Sequence, residues 1–127
     1  MNLMLDTCAL LWLAGGDRRL SREARERIEQ APVAYVSVLS GFEVALKWTR
    51  GKLELPADAD EWFMTVLEHH GLTAVSLDLA DAMRAPRLPD VHRDPCDRFI
   101  IAAALRLGVP VVTTDPRFAG YGVTVIS

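Results

Sequence analysis

Asp94-Pro95-Cys96-Asp97-Arg98-Phe99-Ile100-Ile101-Ala102-Ala103-Ala104-Leu105-Arg106-Leu107-Gly108-Val109-Pro110-Val111-Val112-Thr113-Thr114-Asp115 is the stretch that decides the fold. It opens as a helix. Asp94 stands at the N-cap, Pro95 at the first helical position and Asp97 at the third, close to the positive end of the helix dipole. The apolar turns from Phe99 to Leu105 carry the helix to Gly108, a residue suited to a left-handed C-cap. Residues 109–114 then read as a strand that ends on Asp115. A helix delivered into a continuously apolar strand is the unit from which a parallel sheet, covered on both faces, is built.

The same alternation runs back towards the N-terminus. Leu3-Met4-Leu5 is a short apolar strand ending at Asp6-Thr7, and residues 9–13 continue as a helix that Gly15-Gly16 stops. Ser21 caps a charged helix over 22–31, closed by Pro32. Residues 33–36 form the second strand, and Ser37 or Ser40 opens a helix that reaches Thr49-Arg50 and ends at Gly51. A helix over 60–70 stops at Gly71, followed by a third strand over 72–77 and a short helix over 78–83. The polar, proline-bearing segment 84–93 is the longest loop, and 123–126 is the fifth strand. The expectation is one domain over 1–127, a three-layer α/β/α arrangement with a mainly parallel sheet of about five strands.

Composition fits an ordinary globular chain, 50% hydrophobic and 24% charged. No apolar run is long enough to span a bilayer, since the best, 99–105, is bounded by charges. The first residues lack the basic start and long apolar stretch of a secretory signal. Cys8 and Cys96 are the only cysteines. No disulfide framework is expected, and buried, reduced thiols in a cytoplasmic protein are. The net charge of −3, from 17 acids and 14 bases, argues against a nucleic-acid binder only if the acids are scattered. Acids gathered in one cavity repel one another and call for a cation.

Position matters more than number. In a parallel sheet all strands finish along one edge, and ligand crevices form there. Asp6 ends the first strand and Asp115 the fourth. Glu43 lies early in the helix after the second strand, and Asp97 in the first turn of the helix before the fourth. Each acid also has a local explanation. Asp6 caps a helix, Glu43 pairs with Lys47 four residues on, Asp94 and Asp97 suit a helix start, and Asp115-Pro116 starts a turn. Four unrelated local roles at one sheet edge are a poorer account than one shared site, with Asp94 kept as a cap.

Four blocks carry a resemblance. Leu5-Asp6-Thr7-Cys8-Ala9-Leu10-Leu11-Trp12, Glu43-Val44-Ala45-Leu46-Lys47 with Gly51-Lys52-Leu53-Glu54-Leu55-Pro56, His92-Arg93-Asp94-Pro95-Cys96-Asp97-Arg98, and Thr113-Thr114-Asp115-Pro116 resemble PIN-domain proteins. They are most similar to the VapC toxins of bacterial and archaeal toxin–antitoxin pairs, over essentially the whole chain. The resemblance implies that Asp6, Glu43, Asp97 and Asp115 are catalytic and hold metal, with Thr113 and Asp94 in support. It also implies a homodimer and a VapB-like antitoxin that covers the site. Cys96 departs from the pattern, standing where the family commonly has an aromatic residue.

Carboxylates and water suit Mg²⁺ or Mn²⁺, one ion or two, whereas His69, His70 and His92 lack zinc-site spacing with cysteine. The implied chemistry is hydrolysis of RNA phosphodiester bonds by water activated at the ion. Lys47, Arg50, Lys52, Arg93, Arg98 and Arg117 lie beside the acids and are candidate phosphate contacts. Trp12 and Trp48 are candidates for stacking a base, though their apolar neighbours favour packing. Three rivals compete. A haloacid-dehalogenase-type phosphatase needs an Asp-x-Asp start, which Asp6-Thr7-Cys8 does not supply. A non-catalytic RNA- or protein-binding module would have lost acids. A PIN nuclease of RNA processing or decay shares the site and differs in its biological role.

Overall fold

The structure is a computed structural model describing residues 1–127. Five strands, β1 (Leu3–Leu5), β2 (Ala34–Ser37), β3 (Leu72–Val75), β4 (Val111–Val112) and β5 (Val125–Ile126), form one sheet in the order β3-β2-β1-β4-β5. Every pairing is parallel. The six α-helices are α1 (Thr7–Gly15), α2 (Arg22–Gln30), α3 (Val38–Thr49), α4 (Ala59–His70), α5 (Leu79–Arg84) and α6 (Pro95–Leu107), and 3-10 turns occupy Ala85–Arg87 and Pro116–Tyr121. The three-layer α/β expectation holds.

Strand pleating sorts the core into two layers. Leu3 and Leu5 point to one face, where they meet Ala9, Leu10 and Leu13 of α1, Ala24 and Ile28 of α2 and Val66 of α4. Met4 points to the other, against Ile100, Ile101, Ala103 and Ala104 of α6 and Phe118 of the last turn. All three β1 side chains are at most 1% exposed, which explains why this strand reads as an unbroken apolar run.

The chain moves from β1 outward through β2 to β3, then crosses back to place β4 on the other side of β1. The reversal puts a crevice beyond the carboxyl ends of β1 and β4. Asp6 follows the first of these strands directly, and Asp115 stands three residues past the second. Helix α3 follows β2 without a linker, its N-terminus held by Ser37, whose hydroxyl accepts the Leu39 N–H. It packs against α1, α4 and α6 and so brings Glu43 to the same edge.

Several expected boundaries shift. The fourth and fifth strands are two residues each, although hydrogen bonds from Val111 to Thr124 and from Thr113 to Ile126 continue the ladder beyond them. The third strand stops at Val75. Part of the expected 84–93 loop is structured: Arg84 closes α5 and Ala85–Arg87 winds into a 3-10 turn. The turn over Pro116–Tyr121 had no periodicity to announce it, because single turns carry no repeat.

Candidate functional site

Asp6 is both a cap and a member of the acid group. Its Oδ1 accepts the Ala9 N–H at 2.8 Å, which satisfies one of the free donors at the start of α1. Only 6% of the residue is exposed. Burial pushes its carboxyl above the ordinary aspartate range, the Asp115 and Glu43 charges add to this, and the Thr113 hydroxyl and Ala9 N–H pull the other way.

The next residue reaches a different helix. Thr7 donates its hydroxyl proton to Glu43 Oε1 at 3.0 Å, and its oxygen lies 2.9 Å from that of Ser40. A threonine hydroxyl has one proton, so Ser40 must be the donor to Thr7. The result is a directed chain, Ser40 to Thr7 to Glu43. Lys47 Nζ holds the other oxygen, Glu43 Oε2, at 3.1 Å, the helical pair anticipated from the spacing.

Asp97, in the first turn of α6, is half-buried, and burial pushes its carboxyl up to about 7, helped by the charges of Asp94, Glu43, Asp6 and Asp115. Those partners come from four separate segments and meet in one crevice. Asp94 caps α6 by accepting the Cys96 N–H at 2.9 Å. Its own N–H goes to His92 Nδ1 at 3.2 Å, so the helix starts without a reciprocal Asp97 cap.

Asp115 is the most heavily engaged of the acids. Oδ1 accepts the Arg117 backbone N–H at 2.9 Å and Nε at 3.0 Å, while Oδ2 accepts Arg117 Nη2 at 2.9 Å. His92 Nε2 lies 3.0 Å from that same Oδ2. The Arg117 guanidinium holds the Asp115 carboxyl below the usual carboxylate range. Thr113, buried behind it, accepts the Asp115 N–H at 3.0 Å and fixes the turn.

His92, like Thr7 and Ser40, has a role in the site that the sequence does not announce. It is 3% exposed, and its Nε2 is also 2.8 Å from Asp97 Oδ2. Ligand-type atoms of His92, Asp97 and Asp115 lie within 4.8 Å of one another. The signal in the sequence is its place two residues before the α6 cap.

The cations divide. Arg98 turns inward, its guanidinium donating to the carbonyls of Ala85, Leu88, Pro89 and His92 at 2.7–3.1 Å. It clamps the segment that carries His92, which corrects its assignment as a phosphate contact. Lys47 and Arg117 are paired with site acids, and Arg50, Lys52 and Arg93 are exposed. Trp12 is partly buried under Arg19, whose guanidinium carbon sits 5.1 Å from the ring centre, and Trp48 is 36% exposed. The cysteines do not fill the core as expected: Cys8 is exposed and Cys96 half-buried. The inward face of α1 is taken by Ala9, Leu10 and Leu13, leaving Cys8 at the rim. Burial raises both thiols, Cys96 to about 11, and the site acids reinforce it.

This donor set suits a hard divalent cation. Asp97 keeps one oxygen beyond its His92 contact, the donors are carboxylates from separate segments, and the raised Asp6 and Asp97 carboxyls mark negative charge short of compensation.

Residues 3–123 match the sequence model of the PIN domain. The chain belongs to the PIN domain family. Ribonuclease VapC22 of Mycobacterium tuberculosis (strain ATCC 25618 / H37Rv) is 30% identical over 121 residues, 94% of this PIN chain and 92% of the relative. Solved structures share the PIN fold. The chain in a VapBC2 structure from Rickettsia felis, bound to a DNA fragment from the promoter, superposes with a TM-score of 0.74 at 13% identity, over 99% of this chain and 98% of that one. A toxin–antitoxin complex from Klebsiella pneumoniae gives 0.68 at 20% identity, over 98% and 96%.

Proposed function

We propose that the chain is a Mg²⁺- or Mn²⁺-dependent endoribonuclease and the toxin of a VapBC-type toxin–antitoxin pair. One observation carries the reading: Asp6, Glu43, Asp97 and Asp115 converge on the switch-point crevice of a PIN domain, with the Asp97 carboxyl raised to about 7 by burial and by its neighbours. The kinship with a protein named a ribonuclease supports the substrate class.

Asp6, Glu43 and Asp97 would hold one or two ions, which supply Lewis-acid polarisation of the scissile phosphate and a more acidic water. Around them the chain's own groups set geometry. The Ser40–Thr7 chain and Lys47 fix the Glu43 carboxylate. Asp115, tied to Arg117 and supported by Thr113, serves better as an orienting group than as a bare ligand. Exposed Arg50, Lys52 and Arg93 would contact phosphates flanking the cut, and Lys47 and Arg117 would exchange partners as substrate enters. The toxin–antitoxin complexes that share the fold support a VapB-like antitoxin as partner, with a homodimer as the working assembly.

The test is direct. Purified protein, freed of any partner, is expected to cleave RNA internally with Mg²⁺ or Mn²⁺ and to stop in chelator. Expression without an antitoxin is expected to arrest growth, and Asp6→Asn is expected to abolish both effects while preserving the circular dichroism spectrum. Cleavage unaffected by chelator would overturn the metal assignment. Cleavage without growth arrest would point instead to RNA processing or decay.

A further inference from the structure

We propose that His92 is a positioning residue of the acid cluster: an imidazole whose Nε2–H is shared between Asp97 and Asp115, tying the start of α6 to the turn after β4. The contacts at its two ring nitrogens fix this reading. Nδ1 faces the Asp94 backbone N–H at 3.2 Å. A backbone N–H can only donate, so Nδ1 must accept and carries no proton. An imidazole carries at least one ring proton, so that proton sits on Nε2, which lies 2.8 Å from Asp97 Oδ2 and 3.0 Å from Asp115 Oδ2. The same arrangement argues against His92 as a metal ligand. A histidine that ligates through Nε2 donates from Nδ1 to an acceptor, and here Nδ1 meets a donor.

The residue is held through its backbone as well as its ring. The His92 N–H donates to Tyr121 Oη at 2.5 Å, and the His92 carbonyl accepts Arg98 Nη1 at 3.0 Å. The Phe118 ring meets the imidazole edge-on, with centroids 5.9 Å apart. Tyr121 and Phe118 belong to the turn that follows Asp115, and Arg98 to the helix that carries Asp97. Side chains of the two acid-bearing elements therefore grip the residue that bridges their carboxylates. The imidazole engages only Oδ2 of Asp97, whereas both Asp115 oxygens are occupied by Arg117 and His92.

The value of this for metal binding rests on the proposed function, and the tautomer does not, so two measurements separate them. In ¹⁵N-labelled metal-free protein, the His92 ring is expected to show a protonated Nε2 and an unprotonated Nδ1, unchanged on saturation with Mg²⁺. Manganese affinity, read by electron paramagnetic resonance, is expected to fall about tenfold or more in His92→Asn. That variant retains an acceptor for the Asp94 N–H and lacks the reach to the acids. His92→Gln, whose amide nitrogen extends to the Nε2 position, is expected to recover most of the affinity. A proton on Nδ1, or loss of the Nε2 proton on Mg²⁺ addition, overturns the proposal. Equal manganese affinities for wild type and His92→Asn overturn it as well. Wild-type protein that binds no manganese defeats the metal reading instead, and the ring tautomer then decides the bridge. If His92→Asn does not fold, the tautomer and its response to Mg²⁺ still decide.

Discussion

The Thr7 hydroxyl donates to Glu43 Oε1 at 3.0 Å, so the first residue of α1 fixes a carboxylate that belongs to α3. Thr7 is 3% exposed and Ser40, behind it, is fully buried. Thr7→Val retains the side-chain shape but removes the donor to Glu43 and leaves the Ser40 hydroxyl unpaired. The expected loss is about 1–3 kcal/mol of stability, the usual penalty for a buried polar group without a partner. RNA cleavage should fall more steeply than this loss explains at temperatures where the variant is folded. Thr7→Ser should restore both. Urea denaturation and a cleavage assay on the three proteins check it.

Metal-free protein should lose stability as pH rises. The Asp97 carboxyl goes from an ordinary 3.8 to about 7 on folding, and Asp6 moves in the same direction. A group with a raised native pKa binds its proton more tightly in the native than in the unfolded state. Its stabilisation is complete below 3.8 and is lost as pH climbs through about 7. Asp115 has the opposite sign, its lowered carboxyl contributing stability that disappears in acid below its ordinary value. Thermal melts in chelator should therefore drop by several degrees from mildly acidic to neutral pH, and added Mg²⁺ should cancel most of the drop. A melting temperature flat across this window contradicts the charge crowding.

Asp97→Asn should separate stability from activity. It removes one charge from the crowd with little change in shape, so the metal-free variant should melt about 2–6 °C higher at neutral pH. RNA cleavage should fall by about a hundredfold or more, since a lost cation contact is worth several kcal/mol at the transition state. Melting in chelator and cleavage with Mn²⁺ report the two effects independently.

Arg98→Ala should destabilise by about 3 kcal/mol or more, because several charge-assisted hydrogen bonds to backbone carbonyls disappear together. Arg98→Lys should rescue little, as an ammonium cannot reproduce the planar fork that spans four acceptors. Denaturant midpoints measure the loss, and protease cutting within residues 85–93 should accelerate.

Local chemistry made much of this molecule readable. Asp94-Pro95 marks the start of α6, Gly71 and Gly108 stop α4 and α6 in the left-handed conformation, and the apolar run of β1 reflects burial on both faces. The acids were readable because each follows a recognisable strand or helix signal. His92, Ser40 and Thr7 were not, for a physical reason. Their roles are hydrogen bonds between side chains 23 to 36 residues apart, and such pairings leave no period or cap in the sequence. Arg98 misled because a cation next to an acid reads the same whether it faces solvent or its own backbone. Cys8 misled because free cysteines are so often buried.

The placement of β4 beside β1, with Met4 paired to Val111, has a consequence for timing. Chains are made from the N-terminus, and a domain generally folds as a unit. Asp6 and Glu43 are synthesised early, but Asp97 and Asp115 come from the last third of the chain. The crevice therefore gains its full set of carboxylates only once that final portion has left the ribosome and packed beside β1.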